Sequence, residues 1–274
     1  MEALFWSLTH RPYVTLFMVF FLALSIIEQG RARTFWWVIS SYLIALLAEW
    51  GSIHYGIPFG DYTYHYEALQ NDLVILGVPF FDTISFSFLS YVSFSFGQFL
   101  LAPLERQGLD IQRASRWDQR YTLTSLLLGA FLMMVVDWIV DPIANLGDFW
   151  FLGKIYHYPE PGIHFGVTFA NYCGWFIVAL ATLATNGWLD RWWGQKESTP
   201  FKATSLKGSG LFAPLFWFGI VGFQLGITYW IALTPPEGLD ADKTLLQAVT
   251  GSYLLAPILV WTLVHLQRPA DPQR

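Results

Sequence analysis

The segment VVDWIVDPIAN, residues 135–145, sets two carboxylic acids, Asp137 and Asp141, four positions apart at the end of the apolar run TLTSLLLGAFLMMVV. Residues i and i+4 share a helix face, about 6 Å apart along the axis. Pro142 disfavours helix at Asp141 and is expected to stop it there. A carboxylate at a helix C-terminus meets the negative end of the helix dipole. A second carboxylate repels it, and apolar surroundings penalise the ion further. Such a pair is suited to keep a proton and hand it over. Further acids fall at the same level of the chain. Glu49 closes an apolar run, and Asp82 opens one, where the dipole favours the ionised form. Asn171 stands in the first turns of another run, with His164 just before it. Carboxyl groups held in different environments are what general acid and base work requires.

The elements that must position these groups follow from composition. Of 274 residues, 54% are hydrophobic, 19% aromatic and only 13% charged, where soluble domains carry about a quarter charged residues. Apolar runs long enough to cross about 30 Å of hydrocarbon occur near 12–28, 35–50, 79–103, 120–141, 166–189, 211–233 and 244–266. None alternates polar with apolar as a barrel strand does, so helices are left as the way to satisfy each backbone group in lipid. The fold class expected is all-α, a polytopic bundle of about seven transmembrane helices forming one domain over residues 1–274.

Basic residues set the orientation. Arg31, Arg33, Arg106, Arg113, Arg116, Arg120, Arg191, Lys196, Lys202, Lys207, Arg268 and Arg274 fall on one side, against Arg11, Lys154 and Lys243 on the other. The positive-inside rule then puts the N-terminus outside and the C-terminus in the cytoplasm, in a multi-pass protein of the cell's inner membrane. No basic region followed by a small-residue cleavage site precedes the first run, which reads as a retained span. The single Cys173 cannot form an intrachain disulfide.

The cytoplasmic loops read as ordinary solvated connectors. The outer ones, about 51–78 and 142–165, are long and rich in aromatics, His and acids, and are expected to cap the bundle. Ionisable residues in spans mark functional sites by default. Glu28 is the exception, since Arg31 beside it suggests a plain ion pair. For any one of Glu49, Asp82, Asp137 and Asp141, a helix-anchoring hydrogen bond is the alternative. The spans offer these acids no Lys or Arg, which leaves Lys154 and Arg11 in the loops as candidate partners.

Several chemistries can be weighed. A zinc-dependent seven-helix hydrolase needs three protein ligands, but His54, His65, His157 and His164 sit in loops without helical pairing, and His265 lies at the other end. A histidine-rich di-iron oxygenase fails on six histidines. A retinal protein needs a lysine in the last helix, and TLLQAVTGSYLLAPILVWTLVHL has none. A proton-coupled transporter would show helices broken at mid-membrane and a polar path to the cytoplasmic side. A non-catalytic carrier of an apolar ligand would need an apolar groove but not the acids. Some aromatics form an interfacial belt, such as Trp36, Trp37, Trp192 and Trp193. Others, Phe80, Phe81, Phe86, Trp138, Phe149, Trp150, Phe165, Trp175, Tyr229 and Trp230, fall at the level of the acids, and aromatic faces stabilise cations. No cofactor, nucleic-acid or phosphate-binding motif is present. Acids plus rings suggest protonation of an alkene inside the membrane.

The strings AEWGSIHYGIPFGDYTY (48–64), LGVPFFD (76–82), VVDWIVDPIA (135–144) and HFGVTFANYCGWF (164–176) resemble the integral-membrane carotenoid hydratases, also called carotenoid biosynthesis proteins. One departure is Thr168, where the family's G-V-P motif would place proline. The resemblance implies a cofactor-independent carotenoid 1,2-hydratase, adding water across the terminal C1=C2 bond of an acyclic (ψ) end group. Lycopene, γ-carotene or a C50 bacterioruberin precursor would be the substrate. Protein partners would be other enzymes of the carotenoid pathway, alongside the lipid bilayer and no nucleic acid. In this reading Asp137 donates the proton with Asp141 supporting it, and Asp82 or Glu49 orients and deprotonates water. His54, Tyr62, Tyr64 and Asn171 hydrogen-bond around them, and Phe81, Trp138 and Trp175 face the substrate. No metal is assigned.

Overall fold

A computed structural model describes residues 2–108, 110–113, 120–150, 153–194 and 206–267. Of the basic residues that set the expected orientation, Arg116, Lys196, Lys202, Arg268 and Arg274 lie outside the described residues, as does the side chain of Trp193. The described chain forms eight α-helices: α1 (Glu2–His10), α2 (Pro12–Gln29), α3 (Arg31–Tyr55), α4 (Phe80–Leu101), α5 (Leu123–Ala144), α6 (Phe169–Gly194), α7 (Phe212–Leu233) and α8 (Ala241–Gln267). All but α1 are long and apolar enough to cross a membrane. They are the apolar runs read from the sequence, several of them longer than hydropathy alone indicates.

Helix α4 is the hub. It packs on α5, α3, α7 and α2, while α5 packs on α6, and α7 on α8. Its sequence, FFDTISFSFLSYVSFSFGQFLL, alternates Phe with Ser, and nearly all of it is buried. In lipid there is no hydrophobic force to press helices together, so small residues that let backbones approach are what makes such packing favourable. Gly97 and Gly129 supply the closest approach. A Cβ on Gly129 would come within 2.9 Å of Leu183 and 3.1 Å of the Phe94 backbone, and one on Gly97 within 3.3 Å of the Gly129 amide.

At the end where α4 begins, two long connections fold over the bundle. Strand β1 (Thr63–Tyr64) pairs antiparallel with β6 (Tyr156–His157), while β2 (Val74–Ile75) and β3 (Val78–Pro79) form a hairpin leading into α4. At the other end β4 (Leu104–Gln107) pairs with β5 (Asp110–Arg113). The first long connection is tied down by α1. Ser7 Oγ donates to Asp72 Oδ1 at 3.0 Å and accepts from the Leu73 amide at 2.9 Å, and Arg11 pairs with Asp72 Oδ2 at 3.1 Å.

The turn that leaves α3 is set between helices by glycines. Gly56 takes the left-handed conformation that ends the helix, and the Phe59 amide donates to Ser52 Oγ at 2.9 Å. A Cβ on Gly51 would lie 2.7 Å from the Ile57 carbonyl oxygen, and one on Gly174 only 2.8 Å from that of Pro58. With both side chains absent, the turn sits against α3 and α6 and Phe59 drops into the interior, 1% exposed.

Two local expectations are corrected. Pro142 does not stop the helix at Asp141: α5 continues to Ala144 with Pro142 inside it, and the Asn145 amide bonds back to the Asp141 carbonyl at 2.9 Å. A proline costs a helix one amide bond and a clash with the preceding turn, a penalty felt least in a last turn that is ending anyway. Nor does Glu28 pair with Arg31. Its carboxylate accepts from Tyr91 Oη at 2.8 Å and Ser95 Oγ at 2.7 Å, and the cation beside it is Arg113 at 3.6 Å. Strand β5 brings that arginine back over the end of α4, a contact that neighbourhood in sequence cannot show.

Candidate functional site

Beneath the β1–β6 pair lies a cavity of about 40 Å³, lined by Glu49, Phe59, Tyr62, Tyr64, Asp82, Asp141, Tyr156, Tyr158, Asn171 and Trp175. Each wall comes from a different element. The last turns of α3 supply Glu49, the first turn of α4 Asp82, the end of α5 Asp141, and the start of α6 Asn171 and Trp175. Asn171 is held at that height because the Thr168 hydroxyl accepts its amide at 3.3 Å. The residue that departs from the family pattern thus acts as the helix cap.

The tyrosines come from the two paired strands. The register sets Tyr64 opposite Tyr156 and Thr63 opposite His157. Side chains alternate across a strand, so Tyr62 and Tyr64 point inward with Tyr156 and Tyr158, while His65 and His157 stack outside with ring centroids 4.7 Å apart. Tyr64 Oη lies 2.5 Å from Asp82 Oδ2 and 3.2 Å from Glu49 Oε2 and so bridges them. Tyr156 and Tyr158 both donate to Asp141, at 2.9 and 2.7 Å. Burial first, and the adjoining carboxyl groups second, hold all three phenols well above the ordinary tyrosine range, so they stay protonated as donors.

Asn171 Nδ2 donates to Asp137 Oδ2 at 2.7 Å and to Asp141 Oδ2 at 2.8 Å. One amide therefore spans the aspartate pair, which is why the two acids face the same way. Asp141 lines the cavity, whereas Asp137 lies behind it, 1% exposed, with its Oδ1 accepting no hydrogen bond. No Lys or Arg is among the lining residues. Arg11 is engaged by Asp72 and stacks over Phe81 at 4.4 Å, and the backbone amide of Lys154 bonds Asp148.

The other expected residues divide. Glu49, Asp82, Asp141, Tyr62, Tyr64, Asn171 and Trp175 are brought to one place. His54 is exposed on the last turn of α3, its Nδ1 2.8 Å from the Trp50 carbonyl. Phe81 packs under Arg11, and Trp138 faces a second cleft with Ile139, Pro142, His164 and Gln247. Of the aromatics grouped at this level, Trp175 lines the cavity and Phe86 stacks on it at 4.4 Å, while Trp230 is 67% exposed. Among the described residues no group of three or more His, Cys, Asp or Glu is placed to hold a metal ion.

Sequence reasoning missed Phe59, Tyr156 and Tyr158 as lining residues. A signal for the tyrosines was present. The tripeptide Tyr-His-Tyr occurs at 64–66 and again at 156–158, and its period of two is that of a strand with one aromatic face.

The histidine pair carries a pH prediction. His65 Nε2 and His157 Nδ1 are 3.0 Å apart, a bond that needs one neutral ring as acceptor. Slight burial, then His157 and Lys154, hold His65 below its ordinary value, against the opposing pull of Asp148 and Glu67. A histidine depressed in the folded state contributes stability above its unfolded value of about 6.5 and loses it as pH falls. Acidification from pH 7.5 to 5 should lower the protection factor of the His65 amide, whose N–H bonds the Ile155 carbonyl, once the fall in intrinsic base-catalysed exchange is divided out. His65→Phe should remove the pH dependence, and an unchanged profile in that variant would free the pair of this role.

Among known proteins, the model of a family described as carotenoid biosynthesis protein matches residues 10–236. No curated protein and no solved structure matches the chain.

Proposed function

The chain belongs to the carotenoid biosynthesis protein family, and from that premise we propose that it adds water across the terminal C1=C2 bond of an acyclic (ψ) carotenoid end group. A part in carotenoid biosynthesis follows from the family match over most of the chain, and several apolar helices long enough to span make it a multi-pass membrane protein. The observation that carries the finer reading is the cavity. It joins three carboxyl groups, phenol donors and aromatic faces, with no cation among the lining residues.

Hydration of such an alkene needs an acid, shelter for a tertiary cation and a placed water. Asp141 is assigned as the acid, because it lines the cavity while Asp137 stands behind it. Asp137, held beside Asp141 by the Asn171 amide and interacting with it directly, is the group with which it shares the proton. The O–H bond of the acid breaks as the π electrons form C2–H, which leaves C1 cationic. Trp175 and Phe59 offer ring faces to that charge, and the remaining carboxylates stabilise it from fixed positions. Water then forms the C1–O bond. Its surplus proton passes to Asp82 or Glu49, which Tyr64 links, and return of one proton to the aspartate pair resets the site. Alkene and water together equal the alcohol, so neither oxidant nor reductant enters the balance.

The cavity's size fits one part of this. About 40 Å³ suits water, which takes about 30 Å³ in the liquid, while ligand pockets run to several hundred. The lining must therefore widen as the chain end arrives. The orientation read from charge, with these acids near the outer leaflet, belongs to the same proposal.

The direct test is expression in a bacterium that makes lycopene, followed by mass analysis of the pigments. A gain of one water per modified end, absent with empty vector, is the expected result. Unaltered lycopene alongside well-expressed protein would set the hydratase reading aside.

A further inference from the structure

The four tyrosines around the cavity are not equivalent. Tyr64, Tyr156 and Tyr158 each spend their hydroxyl on a carboxyl group. Tyr62 does not. It is 8% exposed and lines the same cavity, and its Oη is buried with no hydrogen-bond partner in the protein. Its ring is fixed among the others, edge-on to Tyr64 at 5.3 Å, Tyr156 at 6.0 Å and Tyr158 at 6.3 Å. Three aromatic neighbours hold the ring, and none takes its hydroxyl.

A buried hydroxyl without a partner bears its full desolvation penalty, so a phenol kept at such a position needs a reason. A phenylalanine would pack against the same three rings without that penalty. The partner that offsets it is the occupant of the cavity, whose other polar walls are the carboxyls, Asn171 and the three engaged phenols. A phenol both donates and accepts. The neighbouring carboxylates accept only, and the other three phenols are already donating.

Resting on the hydration reading, we propose that the Tyr62 hydroxyl binds the reacting water and aims its lone pair at C1, making Tyr62 the residue that decides whether the cation is captured or returns to alkene. Two outcomes compete once C2 has received its proton. If water is in line, C1–O forms and the water's proton goes to a carboxylate. If it is not, a C–H bond at C2 or at a C1 methyl breaks, its electrons restore a double bond, and that proton goes to the carboxylate instead. Both routes balance, and they differ in where isotope ends up. In D2O the acid delivers deuterium to C2, so each cation that reverts can leave deuterium in the recovered alkene.

The experiment compares wild type with Tyr62→Phe in D2O buffer, with lycopene as the probe, following hydrated product and deuterium in recovered lycopene by mass spectrometry. Wild type should give product with little label in the recovered alkene. In Tyr62→Phe, hydration should fall roughly tenfold, the worth of one hydrogen bond to a reacting group, while deuterium in recovered lycopene holds or rises. Label that persists in the alkene also shows that the variant is folded and protonating. Hydration at the wild-type rate, or loss of hydration and exchange in equal proportion, overturns the inference. Wild type that yields neither product nor label overturns the hydration reading and this inference together.

Discussion

Asp141→Asn should slow hydration by about 10²- to 10⁴-fold, the range contributed by a positioned general acid, while the protein stays folded. The substitution keeps shape and the acceptor oxygen. It removes the dissociable proton and turns one acceptor of Asp141 into a donor that faces Tyr156 or Tyr158. That costs about one hydrogen bond, near 1 kcal/mol, within what a bundle of this size absorbs. Asp137→Asn should do less. It breaks the proton sharing but leaves the group that faces the cavity, so a loss of about tenfold is the expected ceiling. Initial rates of both variants on lycopene decide between them. Should Asp137→Asn abolish turnover while Asp141→Asn retains it, the donor would be the deeper acid.

The premise on which the sequence singles out Asp137 with Asp141 holds in the structure. The i, i+4 spacing does place both acids on one face, and Asn171 on α6 touches both. What spacing cannot give is which of two residues on a face lies nearer an opening. That depends on loops, and the loops here are set by contacts between distant segments. The apolar runs were legible because lipid leaves the backbone one option and demands length for it. The level of Glu49, Asp82 and Asp141 was legible because helix ends fix height.

Tyr156 and Tyr158 were missed beside Tyr62 and Tyr64 because β1 and β6 lie some ninety residues apart in the chain and only two residues of each pair, so the repeated Tyr-His-Tyr does not by itself show that the two segments meet. The turn bearing Phe59 was hidden for a different reason. Its place depends on Gly51 and Gly174, on two helices, both lacking a side chain where the turn passes. Glu28 shows the same lesson at the opposite end. The nearest cation in sequence, Arg31, starts a new helix after Gly30, and the partner arrives instead on a hairpin.

Asn171 is the joint on which the acid pair depends, and Asn171→Leu should weaken both fold and catalysis. Both amide protons are spent, one on each aspartate, and no other donor reaches Asp137 Oδ2 among the described hydrogen bonds. Leucine is close in volume, so the core is not emptied. Asp137 Oδ2 is left facing a hydrocarbon side chain and Asp141 Oδ2 keeps Tyr158 alone, and hydrogen bonds to such groups are worth about 1.5–3 kcal/mol each. A loss of about 3 kcal/mol is expected, read as a clear fall in the melting temperature of the detergent-solubilised protein. Asp141 keeps Tyr156 and Tyr158, so the acid remains at the cavity but is no longer held in register with Asp137. Hydration should then fall about as far as in Asp137→Asn, and adding Asp137→Asn to Asn171→Leu should cost little more, since residues acting as one unit are not additive. Full additivity of the two losses, or a melting temperature equal to wild type, would show that Asn171 neither couples the pair nor holds it in place.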